Sequence, residues 1–143
     1  MKRKRLLTLW LPIFIIAIII LIPAGFIYVL NNGNPYTKHL ANRYIPVHLK
    51  EEGYTQKDFK VASYGEPKYL INQKYYHGHY MVIFKDEPKM TYYYGLSKRG
   101  KNVVQFCEKD VLRKDGVTDT TEKKTKHSEQ HCDYAFKNRS FDK

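Results

Sequence analysis

The stretch from Leu6 to Leu30 contains no charged side chain, and it constrains the fold more than any other part of the chain. A helix rises about 1.5 Å per residue and needs roughly 20 apolar residues to cross the hydrocarbon core of a bilayer. Lipid offers the backbone no hydrogen-bond partners, so a segment this apolar has to be helical in a membrane. Residues 6–30 are therefore predicted to form a transmembrane helix.

A cluster of cations directly precedes this run. Lys2, Arg3, Lys4 and Arg5 are adjacent, and the next cation after the run is Lys38. Cations close to a membrane helix are retained on the cytoplasmic side. Residues 1–5 are therefore predicted to be a cytoplasmic segment, and the chain after Leu30 is predicted to be exported from a single-pass anchor.

A cleavable signal peptide is the alternative, because it also begins with cations. Its apolar region runs for only about 7–15 residues and ends at small residues. Pro23, Ala24 and Gly25 resemble a poor cleavage site, but the apolar run continues through Phe26 to Leu30. The sequence therefore favours an anchor that is not cleaved.

The remaining chain, residues 31–143, is long enough for one small domain. The protein carries a formal net charge of +11, and cations outnumber acids even without the N-terminal cluster. A basic surface beside a membrane suits anionic lipid, an envelope polymer or another envelope protein as partner. The predicted topology exports this charge, so nucleic acid is not expected as a partner.

Residues 31–115 are predicted to form an exported α+β domain. A helix that starts at Asn34 and Pro35 and ends near Gly53 is expected to direct Tyr36, Leu40, Tyr44 and Val47 inward. Alternating apolar residues then predict about four strands, at Phe59–Tyr64, Tyr75–Phe84, Met90–Leu96 and Asn102–Cys107. Short turns between them favour an antiparallel sheet, with Val82, Phe84, Tyr92 and Tyr94 on the face that the helix covers.

Residues 116–143 are predicted to be a disordered polar tail. No large apolar side chain lies between Val117 and Cys132, and such a composition does not offset the entropy of ordering. Two cysteines in an exported domain are able to pair. Because Cys132 lies in this tail, the sequence favours a domain in which a Cys107–Cys132 disulfide is not required.

A family resemblance supports this organisation. The anchor is followed by Leu49-Lys-Glu-Glu-Gly-Tyr54, then Tyr80-Met-Val-Ile-Phe-Lys-Asp-Glu-Pro88 and Thr91-Tyr-Tyr-Tyr94. This order resembles small membrane-anchored proteins of Gram-positive bacteria that are catalogued as domain of unknown function number 3139. The resemblance covers residues 36–109 and is most specific from Val82 to Tyr94. It implies export and fold class, and it implies no activity.

Two histidines are the weak candidates for a metal site. His77 and His79 lie two residues apart, so an extended strand places both imidazoles on one face. Such a pair binds zinc or copper when a third ligand converges on it. Two exposed histidines on an outer sheet face are the simpler interpretation, and no cofactor is predicted.

The density of tyrosines on two neighbouring strands is the clearest compositional feature. Outward-facing Tyr75 and Tyr93, flanked by Lys74, Lys85 and Lys89, are predicted to form an amphipathic binding surface. Cross-strand tyrosine pairs that only stabilise the sheet are the alternative. Asp86 and Glu87 precede Pro88 and are read as turn residues rather than as a catalytic pair.

The chain is accordingly interpreted as a small, single-pass envelope protein without enzymatic activity, acting as a binding or accessory module. A protein that protects the membrane against a membrane-active peptide is the second hypothesis. A metal-binding protein or metal-dependent enzyme that uses His77 and His79 is the third.

Overall fold

The computed structural model describes residues 2–67 and 73–135, and it contains two compact units, residues 1–35 and 36–143. The first unit is α1, Lys2–Asn32, which continues through Pro12 and Pro23. Nearly every side chain from Trp10 to Leu30 is exposed. In the described part of the chain, one helical segment is long and apolar enough to cross a membrane, a property that signal sequences share.

Helix α2, Pro35–Glu51, follows α1 after only Gly33 and Asn34. The prediction of an independent second helix is therefore only partly correct, because helix is nearly continuous from Trp10 to Glu51. The end of α2 was predicted correctly. Gly53 has a φ of 93°, and the Tyr54 amide donates to the Leu49 carbonyl at 2.9 Å, which is a glycine-capped helix end.

The inward face of α2 differs from the predicted one. Its buried residues are Thr37, Leu40, Ala41, Ile45 and Leu49. Tyr36 and Val47 are instead 56% and 54% exposed, so their predicted burial is wrong. Thr37, Ala41, Ile45 and Leu49 follow a strict four-residue spacing. The prediction gave more weight to the large tyrosines than to this spacing. A tyrosine ring, however, is stable when one of its edges contacts water, so a tyrosine need not mark the buried face.

The described residues of the second unit contain seven strands. They are β1 Phe59–Gly65, β2 His79–Phe84, β3 Met90–Leu96, β4 Val103–Phe106, β5 Lys109–Leu112, β6 Thr118–Thr121 and β7 Cys132–Asp133. The main order is β1-β2-β3-β4-β7, while β5 pairs with β3 and β6 with β5. All pairs are antiparallel except β4 with β7, so the sheet is mixed and larger than the predicted four strands.

The core lies between α2 and the middle of the sheet. Val82, Phe84, Tyr92 and Tyr94 are each 0% exposed and cluster with Ala41, Ile45 and Leu49. Val82 pairs with Tyr92 in the register of β2 and β3. The predicted shared face of these four strand residues is therefore confirmed.

The prediction of a disordered tail from Gly116 is wrong for residues 116–135. This part contains β6 and β7, and a disulfide joins Cys132 to Cys107 with the Cα atoms 5.1 Å apart. We call Thr125–Glu129 the strap, because it lies between these strands and covers core side chains. The tail has little apolar surface, and it is ordered through contacts with the domain that composition does not reveal. Residues 136–143 lie outside the described part.

Candidate functional site

An open, mostly apolar cavity of the second unit lies between the C-terminal half of α2 and the edge strand β1. Its volume is about 430 Å³. The lining residues are Pro46, Val47, Leu49, Lys50, Tyr54, Thr55, Gln56, Phe59, Ala62 and Tyr80. We call this cavity the α2–β1 groove. Its size lies within the range of protein pockets that hold small ligands or side chains.

The groove has a buried floor and an accessible rim. Leu49 is 1% exposed, Tyr80 is 6% exposed and Phe59 is 9% exposed, and all three are part of the buried structure of the domain. On the rim, Val47 presents more than half of its surface to solvent. Val47 thereby extends the apolar surface of the floor onto the rim.

Strand β1 borders the groove and has a free edge. Within the described residues, β1 pairs with β2 and with no other strand. The register shifts between Phe59 and Val61, which is a bulge. At the centre of the strand, the Tyr80 hydroxyl donates to the Ala62 carbonyl at 3.3 Å. The groove therefore combines an apolar floor with an available strand edge.

The charges around the groove are mixed. Among the described lining residues Lys50 is the one that is charged, and the exposed Glu51 and Glu52 follow it directly. Lys57 and Lys60 are exposed at the start of β1, and Asp58 between them accepts hydrogen bonds from the amide and hydroxyl of Thr55 at 2.7 and 2.8 Å. These two bonds hold the pKa of Asp58 below its usual value.

The strap closes one side of the groove through Tyr54. The imidazole of His127 stacks on Phe84 at 3.8 Å between ring centroids, and its Nδ1 lies 3.1 Å from the Tyr54 hydroxyl. Its Nε2 donates to Asp86 at 2.9 Å. Hydrogen bonds from Lys126 and His127 lower the pKa of Asp86 to about 2, so this carboxylate remains charged. The strap thus positions a residue that lines the groove.

Asp86, His127 and Tyr54 form a relay that resembles the acid-histidine-nucleophile arrangement of hydrolases. The relay does not activate Tyr54. When an imidazole is neutral and donates from Nε2, it accepts at Nδ1, and the phenol is then the donor. Burial, followed by the charge of Glu129, raises the pKa of Tyr54, which opposes formation of a phenolate nucleophile. The relay therefore orients the strap.

Gln105 is the buried centre of the strap's attachment. It is 0% exposed, and its amide nitrogen donates to the Tyr94 hydroxyl at 2.9 Å and to the His127 carbonyl at 2.8 Å. Its amide oxygen accepts the Glu129 N–H at 2.9 Å. In a strand, a neighbouring strand would bond to these backbone groups. For the strap, the side-chain amide of Gln105 does so instead.

His48 connects the strap to α2. Its Nε2 lies 3.0 Å from Oε1 of Glu129. The hydrogen bond to Glu129 raises the pKa of His48 despite partial burial, and the charges of Glu52 and Glu51 act in the same direction. The pair is therefore a charge-assisted contact when His48 is protonated.

The predicted tyrosine and lysine surface is only partly exposed. Tyr75 is 5% exposed, packs edge-on against Phe106 at 5.2 Å and donates to Asp133 at 2.6 Å, so it does not present its ring to solvent. Lys74 contacts the same carboxylate at 3.3 Å. Tyr93 is half-buried and donates to Asp110 at 2.5 Å. Lys85 and Lys89 are exposed, and a binding role for them stays a prediction.

The two histidines of the metal hypothesis lie in different environments. His77 is 39% exposed and its Nε2 lies 4.0 Å from Glu66, whereas the His79 ring packs edge-on against Tyr93 at 4.5 Å. Burial lowers the pKa of His79 to about 4. Within residues 2–67 and 73–135, no three His, Cys, Asp or Glu side chains converge as a metal site would require. The hypothesis gains no support from this geometry.

Sequence reasoning missed the α2–β1 groove because it assigned Val47 to the core. The row of buried residues in α2, which are four residues apart, does not include Val47. This spacing was the signal in the sequence that could have shown Val47 to be exposed. The strap was missed for a different reason. Nothing in the polar run near His127 indicates that Gln105, some twenty residues earlier, holds it in place.

The family described as "Protein of unknown function (DUF3139)" matches residues 6–94. The match covers more than half of the chain, so the chain belongs to this family, as the resemblance implied. The matched region extends from α1 into β3 and includes every residue that lines the α2–β1 groove, whereas the strap lies beyond it. No curated protein and no solved structure matches the chain significantly.

Proposed function

We propose that this member of the DUF3139 family is a single-pass envelope protein whose domain from Tyr36 onward is a non-enzymatic binding module outside the cytoplasm. The α2–β1 groove carries this proposal. It is concave and apolar, it is open to solvent, and its floor is part of the folded core. A preformed apolar cavity with few polar groups is the usual form of a binding site.

Two features support an extracytoplasmic location. The N-terminal helix is apolar enough to serve as an anchor or as a signal, and Lys2–Arg5 precede its apolar part. The Cys107–Cys132 disulfide fits a compartment that is oxidising, since cytosolic thiols are kept reduced. An uncleaved anchor would keep the module close to the membrane surface.

The character of the lining favours binding over catalysis. Among the described residues that line the groove, Lys50 is the one charged group, and none of them contributes a carboxylate, an imidazole or a thiol. The side chains of the nearby Asp86–His127–Tyr54 relay hydrogen-bond to one another, and the raised pKa of Tyr54 opposes its use as a nucleophile. Acid-base and nucleophilic chemistry need groups of shifted reactivity that face the substrate.

Site-specific photocrosslinking in cells tests the proposal. Val47 is replaced with benzoylphenylalanine in the full chain, and Val117 serves as the matched control because it is a similarly exposed valine, 52% against 54%. We expect an adduct of defined mass at position 47 and none at position 117. Equal labelling at both positions, or labelling at neither, would show that the groove is not a binding site.

A protective role is the second candidate, because an apolar groove beside a membrane is able to take up a membrane-active peptide. Cells that produce the protein should then survive such a peptide at concentrations that kill cells without it. Val47→Glu should abolish the protection, because it places a charge on the groove rim, and Val117→Glu should retain it. Protection that is unaffected by Val47→Glu would exclude the groove as its cause.

A further inference from the structure

We propose that Arg43, Lys74, Lys98, Arg99 and Lys101 form a docking surface for the anionic lipid headgroups of the membrane in which the N-terminal helix is anchored. We call these five residues the basic surface. It shares no residue with the α2–β1 groove, and its role rests on the uncleaved anchor of the proposed function. Three features carry the proposal: the convergence of the cations, the scarcity of acids beside them, and the short chain that joins them to the apolar helix.

The turn between β3 and β4 supplies most of the cations. Lys98, Arg99 and Lys101 are exposed there, and the Lys98 amide donates to the Lys74 carbonyl at 3.0 Å. Lys74, Lys98 and Arg99 line one open cavity of about 540 Å³. Asp133 is the one carboxylate among the described lining residues, so the charged groups of this cavity carry a net charge of +2 at neutral pH.

Tyr44 brings a cation of α2 to the same turn. The Arg43 guanidinium lies 5.9 Å from the centre of the Tyr44 ring, and the Lys101 ammonium lies 5.6 Å from the same centre. The face of an aromatic ring attracts cations, so one ring holds two like charges near each other. Both charged residues remain exposed to solvent. The cations of α2 and of the turn therefore lie together.

Acids are scarce in the sequence that forms this region. Residues 31–50, 67–85 and 88–107 contain no Asp or Glu, and they include all of the basic surface. Glu51 and Glu52 come at the other end of α2, where the chain leaves the helix. The basic surface therefore differs from the α2–β1 groove, where acids accompany the lysines.

Asp133 and Glu66 bring carboxylates to this region, and both have partners. Asp133 accepts a hydrogen bond from the Tyr75 hydroxyl at 2.6 Å and lies 3.3 Å from the Lys74 ammonium. Glu66 accepts a hydrogen bond from the Tyr64 hydroxyl at 3.3 Å, and only 18% of its side chain is exposed. Asp133 thus offsets Lys74, and the other four cations keep the surface basic.

The chain reaches this region directly from the apolar run. Tyr36 follows Leu30 by six residues, which span at most about 21 Å when fully extended. The Tyr36 ring packs edge-on against Tyr76 at 6.2 Å, and the Tyr76 amide donates to the Leu96 carbonyl at 2.9 Å. Leu96 is the last residue of β3, so the turn that carries Lys98 follows at once. An anchored helix therefore keeps the basic surface near the bilayer.

This tether favours lipid over a soluble polyanion as the partner. Each Lys or Arg near an anionic bilayer strengthens attachment about fivefold, within a Debye length of about 8 Å at physiological ionic strength. A tethered surface meets the lipid at a high effective concentration, whereas a polymer has to be met from solution. Tyr36 is 56% exposed and adds an aromatic ring of the kind that is enriched at membrane interfaces.

The test measures which lysines the lipid covers. The full chain is reconstituted in nanodiscs of phosphatidylcholine alone or with about one third phosphatidylglycerol, and brief acetylation is read by mass spectrometry. We expect Lys74, Lys98 and Lys101 to react about threefold or more slowly with phosphatidylglycerol present. Lys114, which is exposed in the turn after β5, should react equally in both lipids. High salt should remove the difference, because it screens the charges.

A triple variant assigns the protection to the basic surface. Lys98→Gln/Arg99→Gln/Lys101→Asn removes three charges, and asparagine is chosen because residue 101 has a φ of 54°, which asparagine adopts readily. The ratio of docked to free domain should fall about a hundredfold, at about fivefold for each charge. Lys74 remains in the variant as the reporter, and its protection by phosphatidylglycerol should be lost.

A second triple variant is the matched control. Lys114→Gln/Lys123→Gln/Lys124→Gln lowers the net charge by the same amount at exposed positions elsewhere in the domain. Protection of Lys74 should persist in this variant. Thermal unfolding of both variants near the wild-type Tm confirms that the substitutions leave the fold intact.

The other results overturn the proposal. Equal acetylation of Lys74, Lys98 and Lys101 in the two lipids, or equal slowing at Lys114, shows that this surface does not dock. Loss of protection in the control variant assigns the effect to net charge instead. Protection by a soluble glycerol-phosphate polymer, without protection by phosphatidylglycerol, shows a different occupant.

Failure of lipid docking and failure of the proposed function are distinguishable. Crosslinking at Val47 without protection of the lysines leaves the groove as a binding site and removes only the docking. Protection of the lysines without crosslinking at Val47 leaves the docking and removes the groove. A mature chain that lacks Lys2–Arg5 removes the anchor, and the docking falls with it.

Discussion

At the scale of single residues, Gln105 shows how one side chain orders a polar segment. It is fully buried and bonded to Tyr94, to the His127 carbonyl and to the Glu129 amide. A strand ladder would normally provide such backbone bonds, and here one side-chain amide provides them. Its removal therefore leaves several polar groups without partners at the same time.

Gln105→Leu should lower the free energy of unfolding by about 2–4 kcal/mol, since each buried polar group left without a partner costs about 1–3 kcal/mol. Urea denaturation monitored by tyrosine fluorescence measures the change. Gln130→Leu is the control, because Gln130 is exposed and should change stability by less than about 0.5 kcal/mol. Equal stability of the two variants would remove Gln105 from this role.

His48 and His79 predict opposite pH dependences. The folded-state pKa of His48 is raised, so its contribution with Glu129 is fully present below its unfolded value near 6.5 and is lost as the pH rises through the folded pKa. The folded-state pKa of His79 is lowered to about 4, so its contribution is present above about pH 6.5 and is lost as the pH falls towards 4.

The His48 effect is isolated by comparison with His48→Gln. The wild-type protein should melt above the variant near pH 6, and the difference in Tm should shrink as the pH rises through the raised folded-state pKa of His48. Melting curves over a series of pH values from about 6 upward measure it. A difference that stays constant across this range would show that the His48–Glu129 charge does not contribute.

At the scale of secondary-structure elements, the sequence predicts a strand correctly where one face of the strand is buried and the other is exposed to solvent. Tyr92 and Tyr94 alternate with the less buried Thr91 and Tyr93, and β3 was therefore located correctly. Strand β2 begins four residues later than predicted, because Gly78 has a φ of 107° and interrupts the extended run. A glycine in such a run gives little indication of its φ in advance.

Elements that depend on distant partners were not predictable. Strand β7 has two residues and exists through parallel pairing of Cys132 and Asp133 with Gln105 and Phe106. No periodicity arises in so short a segment. The α2–β1 groove belongs to the same class, because it is formed by two elements whose separation is not encoded in either one.

The structure changes the expectation for the two cysteines. The disulfide joins residues 25 apart and links β7, which follows the strap, to the segment just after β4. A Cys107→Ser/Cys132→Ser double variant should lose about 3 kcal/mol, the entropy contribution for a loop of this length. Differential scanning calorimetry should show a Tm drop of about 10 °C or more. A Tm within a few degrees of wild type would restore the original expectation.

At the scale of the whole molecule, the chain joins an apolar helix to an independently compact unit. Composition is sufficient to predict this division, because the helix has no charge between Leu6 and Leu30 and the remaining chain is rich in lysine. Whether the helix is retained or removed decides whether the groove stays at the membrane or is released.

The apolar run passes beyond Gly25 without interruption, so we expect the mature protein to keep its N-terminus. Mass spectrometry of protein extracted from membranes should give a mass that includes the Lys2–Arg5 cluster. A mature species that begins near Gly25 would identify the helix as a signal peptide. A Pro23→Leu variant with the same N-terminus would confirm that no processing occurs there.

The position of β7 has a consequence for biogenesis. Cys132 follows Cys107 by 25 residues, so the pairing of β7 with β4 and the disulfide form only after the chain as far as Cys132 is available. If the domain is exported behind an N-terminal anchor, we expect it to wait, incompletely folded, until Cys132 has crossed the membrane. Pulse-labelled protein should then pass through a protease-sensitive interval that ends when the thiols become oxidised. Oxidation of the two thiols, rather than the ribosome, would set the pace of maturation.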